Sequence, residues 1–370
     1  MVVVLRRLRF GRHRAASGRV GINHRKALFL TISALVIAAI AAVVFLEGRR
    51  HGFEWAKARD VLAGLQAPWL AAAGAIALLS YVGRAVRWRI LLAPVRAHPD
   101  MKGLVAATFI GFAAVTILGR AGELVRPYVI AMKEDVTFSS QLAAWVVERV
   151  FDLLIAILLF GFALSQLATE NQKMDPGPGL TWVIRSGGWA TLALSAACLG
   201  LLIAIRSFSV SSRNKLRQRL AFLSAHHLQR VERLITAFLE GAASTKSSWA
   251  TIQILFWTIL EWVLIAGCYA CVIRSFGASL QFNWLDVVIF MGFVSIGSLF
   301  QIPGIGGGMQ VVAVIALTEI FGVPLETATS VAVLIWLLTF VLVVPIGLGF
   351  ALRDGITWAA VQAARKEALT

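Results

Sequence analysis

The stretch from Leu118 to Asp152, LGRAGELVRPYVIAMKEDVTFSSQLAAWVVERVFD, decides the fold, because it places charged side chains between long apolar runs. Ionisable side chains at membrane depth cost about 2.5–3.5 kcal/mol each on insertion scales, so they persist mainly where they line a cavity within the protein. In a membrane protein this stretch would therefore form part of an enclosed polar site. The charged members of interest are Arg120, Glu123, Arg126, Glu148, Arg149 and Asp152, while Lys133, Glu134 and Asp135 return the chain to water.

The composition indicates an integral membrane protein. The 370 residues are 59% hydrophobic and 15% charged, and their mean hydropathy is +0.80. A soluble core could not hide so much apolar surface. The formal net charge of +16 would suit a nucleic-acid-binding protein, but the basic residues fall in blocks between apolar runs, a placement that membrane topology explains better. The three cysteines lie in apolar runs and are interpreted as buried thiols.

The arrangement of apolar and basic segments predicts six full spans with both termini in the cytoplasm. Residues 1–26 hold eight Arg and Lys and no acid, which is typical of a cytoplasmic tail that faces anionic lipid. The basic segment 206–248 is the predicted main cytoplasmic loop, and its helical apolar spacing predicts an amphipathic helix, either on the inner leaflet or docked on the protein. Residues 353–370 form the predicted cytoplasmic C-terminal tail. The predicted spans are Ala27–Leu46, Leu65–Gly83, Ala143–Ala168, Trp189–Ile205, Trp249–Ile273 and Thr327–Leu352.

A basic and aromatic cluster follows the second of these spans. It consists of Arg84, Arg87, Trp88 and Arg89. Clusters of this composition are typical of the boundary between a span and the cytoplasm. We therefore expect these side chains at the membrane surface.

Two further apolar regions are too short and too rich in glycine to cross twice, and they predict re-entrant helical hairpins. The first hairpin has arms Lys102–Leu118 and Glu123–Met132 around a turn that contains Gly119 and Gly122. The second has arms Asp286–Gln301 and Met309–Phe321 around PGIGGG. Such segments are tolerated at membrane depth where they are buried in protein. The turn residues of the second hairpin are Pro303, Gly304, Gly306, Gly307 and Gly308.

The two hairpins also resemble each other. FMGFVSIGSLFQIPGIGGGMQ echoes FIGFAAVTILGRAGE, with Gly292 in the place of Gly111, and Gly349 later takes the place of Gly161. By the span count, the first hairpin enters from the cytoplasm and the second from outside. The chain is therefore predicted to be an all-α polytopic membrane protein with an inverted repeat.

The first hairpin carries the residues best suited to an anion. A half-helix that begins near Gly122 would aim free backbone N–H groups at the membrane interior. Arg120 and Arg126 offer bidentate donors for a phosphate, and Glu123 would partly neutralise them without a ligand. Pro127 fits the first turn of such a helix. The alternative is an Arg–Glu network that only holds the hairpin in place.

Glu148 and Asp152 lie four residues apart on one helix face and should repel each other unless a cation lies between them. Arg126 or Arg120 is the natural partner, while Arg149 projects from the adjoining face. A functional network is one interpretation. Snorkelling of these side chains at a cytoplasmic helix end is the other.

Three more polar residues lie in apolar surroundings. Glu261 stands alone in the middle of its predicted span, where it is either protonated and hydrogen-bonded or titrates during transport. Gln301 and Gln310 flank the second turn and could offer neutral contacts to a substrate. The glycines between them suit a tight turn and close helix packing.

Motifs of common catalytic sites do not occur in the sequence. There is no G-x-x-x-x-G-K-[ST], no H-E-x-x-H and no G-x-S-x-G. The six histidines all lie outside the predicted spans. We therefore expect no cofactor, no metal site and no enzymatic activity.

Three motifs, GRAGELVRPYVI, ERVFDLL and IPGIGGGMQ, together resemble the lysylphosphatidylglycerol synthase transmembrane region family, the flippase-like membrane domain. The resemblance covers about residues 25–352 and implies a flippase-like transmembrane domain over residues 27–352. The chain departs from the family pattern at Leu118, where a proline is usual, at Gln310, where an acid is usual, and at Ile335-Trp336, where relatives often carry Tyr-Arg. The soluble aminoacyl-transfer domain of the full-length synthases is not expected here.

The resemblance implies a lipid flippase or lipid carrier in a bacterial or archaeal cytoplasmic (inner) membrane. The substrate would be an anionic phospholipid, an aminoacylated phospholipid or a polyprenyl-phosphate-linked glycan, and nucleic acid is not an expected partner. One alternative is a non-transporting membrane partner of a lipid- or glycan-synthesising enzyme. Another is a transferase that uses Glu148 or Asp152 as a base, which the missing nucleotide and metal motifs disfavour.

Overall fold

The computed structural model describes residues 53–171, 247–299, 301–302 and 306–355, together with short pieces between residues 188 and 243. Several predicted features lie wholly or partly outside the described residues. These are the tail 1–26, the span Ala27–Leu46, the amphipathic helix of 206–248, part of the span Trp189–Ile205, most of the tail 353–370, and the turn residues Pro303 and Gly304.

The described residues form helices joined by short connections. The helices are α1 (Trp55–Ala63), α2 (Ala67–Leu92), α3 (Met101–Leu118), α4 (Val125–Glu134), α5 (Phe138–Asn171), α6 (Ser248–Ser275), α7 (Trp284–Gly297), α8 (Gly308–Ile315), α9 (Leu325–Trp336) and α10 (Val343–Arg353). The 3₁₀ segment Gly119–Leu124 joins α3 to α4, and the π-helical segment Leu337–Val341 joins α9 to α10. A second π-helical segment, Ala316–Ile320, extends α8.

The described helices establish a multi-pass membrane protein. Within this part of the chain, four helical segments are long and apolar enough to span a membrane, and two shorter apolar helices cover Trp284–Gly297 and Gly308–Ile320. Helix α5, with 34 residues, contains the predicted span Ala143–Ala168. By length and composition the four candidate spans are Ala67–Leu92, Met101–Glu134, Ser248–Ser275 and Leu325–Arg353, of which Met101–Glu134 consists of α3 and α4, joined by a turn.

Local sequence signals explain where these helices begin and end. Helix α2 begins with a proline in its first turn, where the missing N–H costs nothing. Asp100 caps α3 by accepting from the backbone N–H groups of Lys102 and Gly103. Helix α4 ends at Glu134, and the next residue, Asp135, adopts the left-handed conformation with φ 54°. Asn283 and Asp286 form a reciprocal capping box at the start of α7.

Helices α3 and α4 fold back on each other as a hairpin, and glycines permit the close approach. A Cβ atom at Gly111 would collide with Arg126, and one at Gly122 would collide with the backbone of Ala114. Gly119 begins the turn with φ 64°, in the left-handed region that favours glycine. The predicted glycine turn is therefore present, although α4 begins at Val125 rather than near Gly122.

Helices α7 and α8 form a second hairpin of the same kind. A Cβ atom at Gly297 would lie 2.7 Å from the carbonyl oxygen of Gly308. The turn contains a two-residue antiparallel strand pair, β1 (Gln301–Ile302) and β2 (Gly306–Gly307). Gly307 has φ 104°, which explains a glycine at that position.

The two hairpins are packed reciprocally. Helix α3 of the first packs on α10, which follows the second hairpin, and α7 of the second packs on α5, which follows the first. A Cβ atom at Gly347 would collide with the carbonyl group of Phe109, and one at Gly292 would lie 2.7 Å from the carbonyl oxygen of Leu159. Helices α2 and α6, which precede the hairpins, pack against each other. This exchange of partners supports the predicted internal repeat.

Hydrogen bonds and an ion pair join the first hairpin and α2 to the π-helical segment 337–341 and to the end of α10. The Thr116 hydroxyl donates to the Phe340 carbonyl oxygen over 3.0 Å, and the Tyr81 hydroxyl donates to the neighbouring Thr339 carbonyl oxygen. Both carbonyl groups belong to the π-helical segment 337–341. At the other end of the hairpin, Lys133 forms an ion pair with Asp354.

Candidate functional site

A cavity of about 290 Å³ lies among helices α2, α5 and α6, both hairpins and the π-helical segment 337–341. Its walls differ in character: Met291, Val294 and Met309 line the side formed by the second hairpin, and aromatic rings such as Trp145 and Trp262 line other parts. The charged residues that line it are Arg84, Arg120, Glu123, Arg126, Glu148, Arg149, Asp152 and Glu261.

Arg87 holds the carboxylates of this site together. Its side chain has no exposed surface. Its Nη2 lies 2.7 Å from Glu148 Oε1 and 3.3 Å from Glu261 Oε2, and its Nη1 lies 2.5 Å from Asp152 Oδ1. Nη1 also donates to the Thr258 hydroxyl over 3.0 Å. Arg87 therefore lies behind the cavity wall and neutralises carboxylates from α5 and α6.

The expectation that Arg84 and Arg87 lie at a cytoplasmic membrane surface is wrong. Helix α2 does not end near Gly83 but continues to Leu92. Arg84 and Arg87, three residues apart, project from one face of that extension into the protein, while Arg89 is exposed. Their burial is possible because the carboxylates of Glu148, Asp152 and Glu261 pair with them there.

Arg126 is positioned by contacts on several sides. Its Nη1 donates to both carboxylate oxygens of Glu148, over 3.1 and 2.9 Å, and its Nη2 donates to the Arg84 carbonyl oxygen over 2.9 Å. Its guanidinium lies 4.2 Å from the ring centre of Trp88, within the range of a cation–π contact. The predicted pairing of Arg126 with Glu148 is present.

Arg149 is the third arginine, after Arg87 and Arg126, that contacts the acidic face of α5. Its Nη2 lies 2.8 Å from Asp152 Oδ2 and 3.5 Å from Glu148 Oε2. Its side chain keeps 32% of its surface exposed, more than Arg84 or Arg126. Glu148 therefore contacts Arg87, Arg126 and Arg149, whereas Asp152 contacts Arg87 and Arg149.

Glu261 does not stand alone, contrary to expectation. Arg84 Nη2 lies 2.5 Å from its Oε1, and the side chain is 2% exposed. Because Arg84 and Arg87 were expected at the membrane surface, no partner was predicted for the Glu261 carboxylate. Helix packing of α2 on α6 supplies the pair instead.

Arg120 bridges the two hairpins. Its guanidinium pairs with Glu123 and donates to the carbonyl oxygens of Ser298, over 2.6 Å, and Leu299, over 3.2 Å. It does not reach Glu148 or Asp152, for which it was one expected partner. Arg120 thus links the turn of the first hairpin to the end of α7.

The expected contribution of Gln310 to the site stays a prediction. Gln310 lies on α8 but does not line the cavity. Gln301 belongs to β1, and its side chain lies outside the described part. Gly306 and Gly307 form β2 and Gly308 begins α8, which agrees with the expected structural role of these glycines.

The site contains polar donors that the protein itself does not use. The buried Nε atoms of Arg84, Arg87, Arg126 and Arg149 have no hydrogen-bond partner among the described residues, and neither has Trp262 Nε1. An unpaired buried donor costs about 1–3 kcal/mol. Guanidinium donors of this kind suit the oxygens of a phosphate or carboxylate. Across the described residues, no group of three or more His, Cys, Asp and Glu could hold a metal ion.

Two curated relatives are similar to most of this chain. A UPF0104 membrane protein of Methanothermobacter thermautotrophicus is 26% identical over 337 residues, which cover 86% of this chain and 91% of the relative. The glycosyltransferase AglD of Haloferax volcanii is 24% identical over 300 residues, which cover 74% of this chain and 47% of the relative. The chain thus spans about half the length of AglD.

A family model matches a similar share of the chain. The model of the lysylphosphatidylglycerol synthase TM region matches residues 29–347. No solved structure matches the chain. Because the family model covers both hairpins and every residue of the charged cavity, this protein belongs to the lysylphosphatidylglycerol synthase TM region family.

Proposed function

We propose that this protein is a flippase-like transporter that moves an anionic phospholipid or a lipid-linked anionic headgroup between membrane leaflets. The observation that carries this proposal is the cavity of buried guanidinium and carboxylate groups with unpartnered Nε donors. A structural ion network would be expected to satisfy its own donors. A network with spare donors beside a cavity is suited to an oxygen-rich anion.

The arrangement of the hairpins fits transport. In our proposal both are re-entrant, the first from the cytoplasm and the second from outside, and both termini are cytoplasmic. Arg120 then joins the two turns within the membrane, next to the cavity. Binding sites of transporters with inverted repeats lie in such positions, where rocking of the halves exposes the site to each side.

Transport without covalent chemistry is the proposed activity. The carboxylates that a transferase would need as a base, Glu148 and Asp152, are each contacted by at least two arginines. A carboxylate held in this way is a poor proton acceptor. The sequence also lacks the nucleotide-binding motif G-x-x-x-x-G-K-[ST].

A leaflet-exchange assay in proteoliposomes tests the proposal. Labelled phosphatidylglycerol in the inner leaflet is followed by its accessibility to an external quencher. The wild-type protein should accelerate exchange, and Arg126→Gln should reduce the rate at least about tenfold, which corresponds to the loss of one charge-assisted contact of about 1.4 kcal/mol.

Arg89→Gln is the matched control, because Arg89 lies on α2 with Arg84 and Arg87 but is exposed. Arg126→Lys keeps the charge and should retain part of the activity. Equal exchange rates in wild type and Arg126→Gln, with both proteins folded, would refute a role for the cavity in transport.

A second candidate is a non-transporting membrane partner of a glycan-synthesising enzyme. It is favoured by one observation: a relative that the chain matches over 47% of its length is named a glycosyltransferase. Co-purification of such an enzyme with a wild-type protein that exchanges no lipid would support this alternative against transport.

A further inference from the structure

We infer that the cavity selects a lipid headgroup with a single negative charge, a phosphodiester, and that Glu261 sets this selectivity. This inference rests on the proposed function and specifies the substrate class of the same site. It starts from the formal charge of the cluster.

The cluster has an excess of one positive charge. Its five guanidinium groups face four carboxylates, and five minus four leaves +1 among the described residues. The other titratable groups in the described lining, Tyr81, Cys268 and Tyr269, are neutral as phenols and a thiol. The guanidinium groups belong to Arg84, Arg87, Arg120, Arg126 and Arg149, and the carboxylates to Glu123, Glu148, Asp152 and Glu261.

An excess charge inside a membrane protein is costly, so a ligand that cancels it binds best. A phosphodiester brings one negative charge and makes the occupied cluster neutral. A dianionic phosphomonoester would leave one negative charge, and a zwitterionic headgroup would leave one positive charge. The charge of the cluster therefore distinguishes monoanionic, dianionic and zwitterionic headgroups.

Glu261 is the carboxylate whose charge is most easily changed. The groups that face it are Arg84, Arg87, Tyr81, Glu148 and Asp152. Its short contact is with Arg84, and its Oε2 accepts no hydrogen bond among the described residues. Glu148 contacts three arginines and Asp152 two, as described above.

Arg84 also lines the cavity, and its buried Nε has no hydrogen-bond partner among the described residues. A phosphate bound there would compete with Glu261 for the same guanidinium. A dianion would thus enter with one proton taken up by Glu261, whereas a monoanion needs none. Selectivity for the diester is expected to be greatest at alkaline pH and to decrease as pH falls.

Lipid binding to the purified full chain in detergent tests this inference by native mass spectrometry. The probes are phosphatidylglycerol and a polyprenyl-phosphate hexose as phosphodiesters, phosphatidic acid as the monoester and phosphatidylethanolamine as the zwitterion. At pH 8, where the monoester carries close to two charges, the wild type should prefer a diester to phosphatidic acid by about tenfold. The diester that binds more tightly identifies the source of the headgroup.

Glu261→Gln raises the formal charge of the cluster to +2 and should reverse the order, so that phosphatidic acid binds more tightly than the diesters. Glu319→Gln is the matched control, because Glu319 is exposed on the extension of α8. If Glu261→Gln does not fold, the wild-type preference for phosphatidylglycerol over phosphatidylethanolamine decides, because neither lipid changes its charge between pH 6 and 8. This preference should increase as pH falls and Glu261 is neutralised, and a preference that does not change with pH would overturn the role of Glu261.

Equal wild-type binding of diester and monoester at pH 8, or an unchanged order in folded Glu261→Gln, would overturn charge selection and leave anion transport intact. By contrast, the proposed function itself fails if no anionic lipid binds better than phosphatidylethanolamine and Arg126→Gln exchanges lipid like the wild type.

Discussion

Arg87 shows what a fully buried arginine does in this protein. It contacts Glu148 and Asp152 of one helix and Glu261 of another, and it does not line the cavity. Removing one partner from a buried ion network leaves uncompensated charge and typically costs about 3–5 kcal/mol. We therefore assign Arg87 to stability, and Arg84, Arg126 and Arg149 to the ligand.

Arg87→Met should lower the stability of the protein in detergent by about 3–5 kcal/mol, because three carboxylates lose their common cation. The thermal midpoint of unfolding, followed by tryptophan fluorescence, measures the change. Arg89→Met should unfold close to the wild-type temperature. Similar midpoints for the two variants would show that Arg87 does not hold the carboxylates together.

The sequence allowed only some of these residue pairs to be predicted. Arg126 was recognised because it stands out beside a glycine turn, and Glu148 because it shares a helix face with Asp152 in apolar surroundings. Arg84 and Arg87 were misplaced because a buried arginine and an arginine at a membrane boundary have the same local signature. One signal was available: the acids Glu148, Asp152 and Glu261 required more cations than the first hairpin could supply.

Glycines decide how closely the helices approach each other. Gly347 on α10 meets the backbone of Phe109 and the side chain of Ala113 on α3, whereas Gly349 on the same helix has nothing within 4 Å of its would-be Cβ. The sequence comparison of the two halves had singled out Gly349. The close contact lies two residues earlier, because only the face of α10 that meets α3 requires a missing side chain.

Gly347→Ala should destabilise the protein by about 1–3 kcal/mol, because its methyl group has no room against α3. Gly349→Ala should be neutral or slightly stabilising, since alanine favours a helix by about 1 kcal/mol over glycine. Thermal unfolding of both variants in the same detergent checks the contrast. Equal effects at the two positions would show that the close packing of α3 on α10 is absent.

Helix positions were predicted better than helix ends. The helices of the two hairpins, α6 and the segment from α9 to α10 lie where apolar runs indicated. The end of α2 was missed by nine residues, because a span was assumed to stop at the first charge. That assumption fails wherever buried acids receive the charge.

At the scale of the whole molecule, the reciprocal packing of the hairpins fits an internal repeat, which we propose is inverted. Sequence similarity between the halves indicated a repeat, but apolar sequences match each other easily. The exchange of partners between α3 with α10 and α7 with α5 is independent of that similarity. The second half lacks charged residues that the family pattern usually has. In agreement with this, its hairpin lines the cavity with apolar residues such as Met291 and Val294.

An inverted pair of re-entrant hairpins predicts opposite accessibility of their bases. In a variant without the native cysteines, a cysteine at Lys102 should react with an impermeant thiol reagent only from the cytoplasmic side. A cysteine at Asn283 should react only from the outer side. Labelling in right-side-out and inside-out vesicles measures this difference, and reaction of both positions from one side would contradict the inverted arrangement.

The most direct test of the central claim is an experimental density map of the protein in nanodiscs that contain phosphatidylglycerol. Our account predicts phosphate density in the cavity, within about 3 Å of the Nε atoms of Arg84, Arg126 or Arg149. Arg126→Gln should lose that density. A cavity filled by acyl chains alone, with those Nε atoms bonded to the protein's own carboxylates, would contradict an anion site in the membrane.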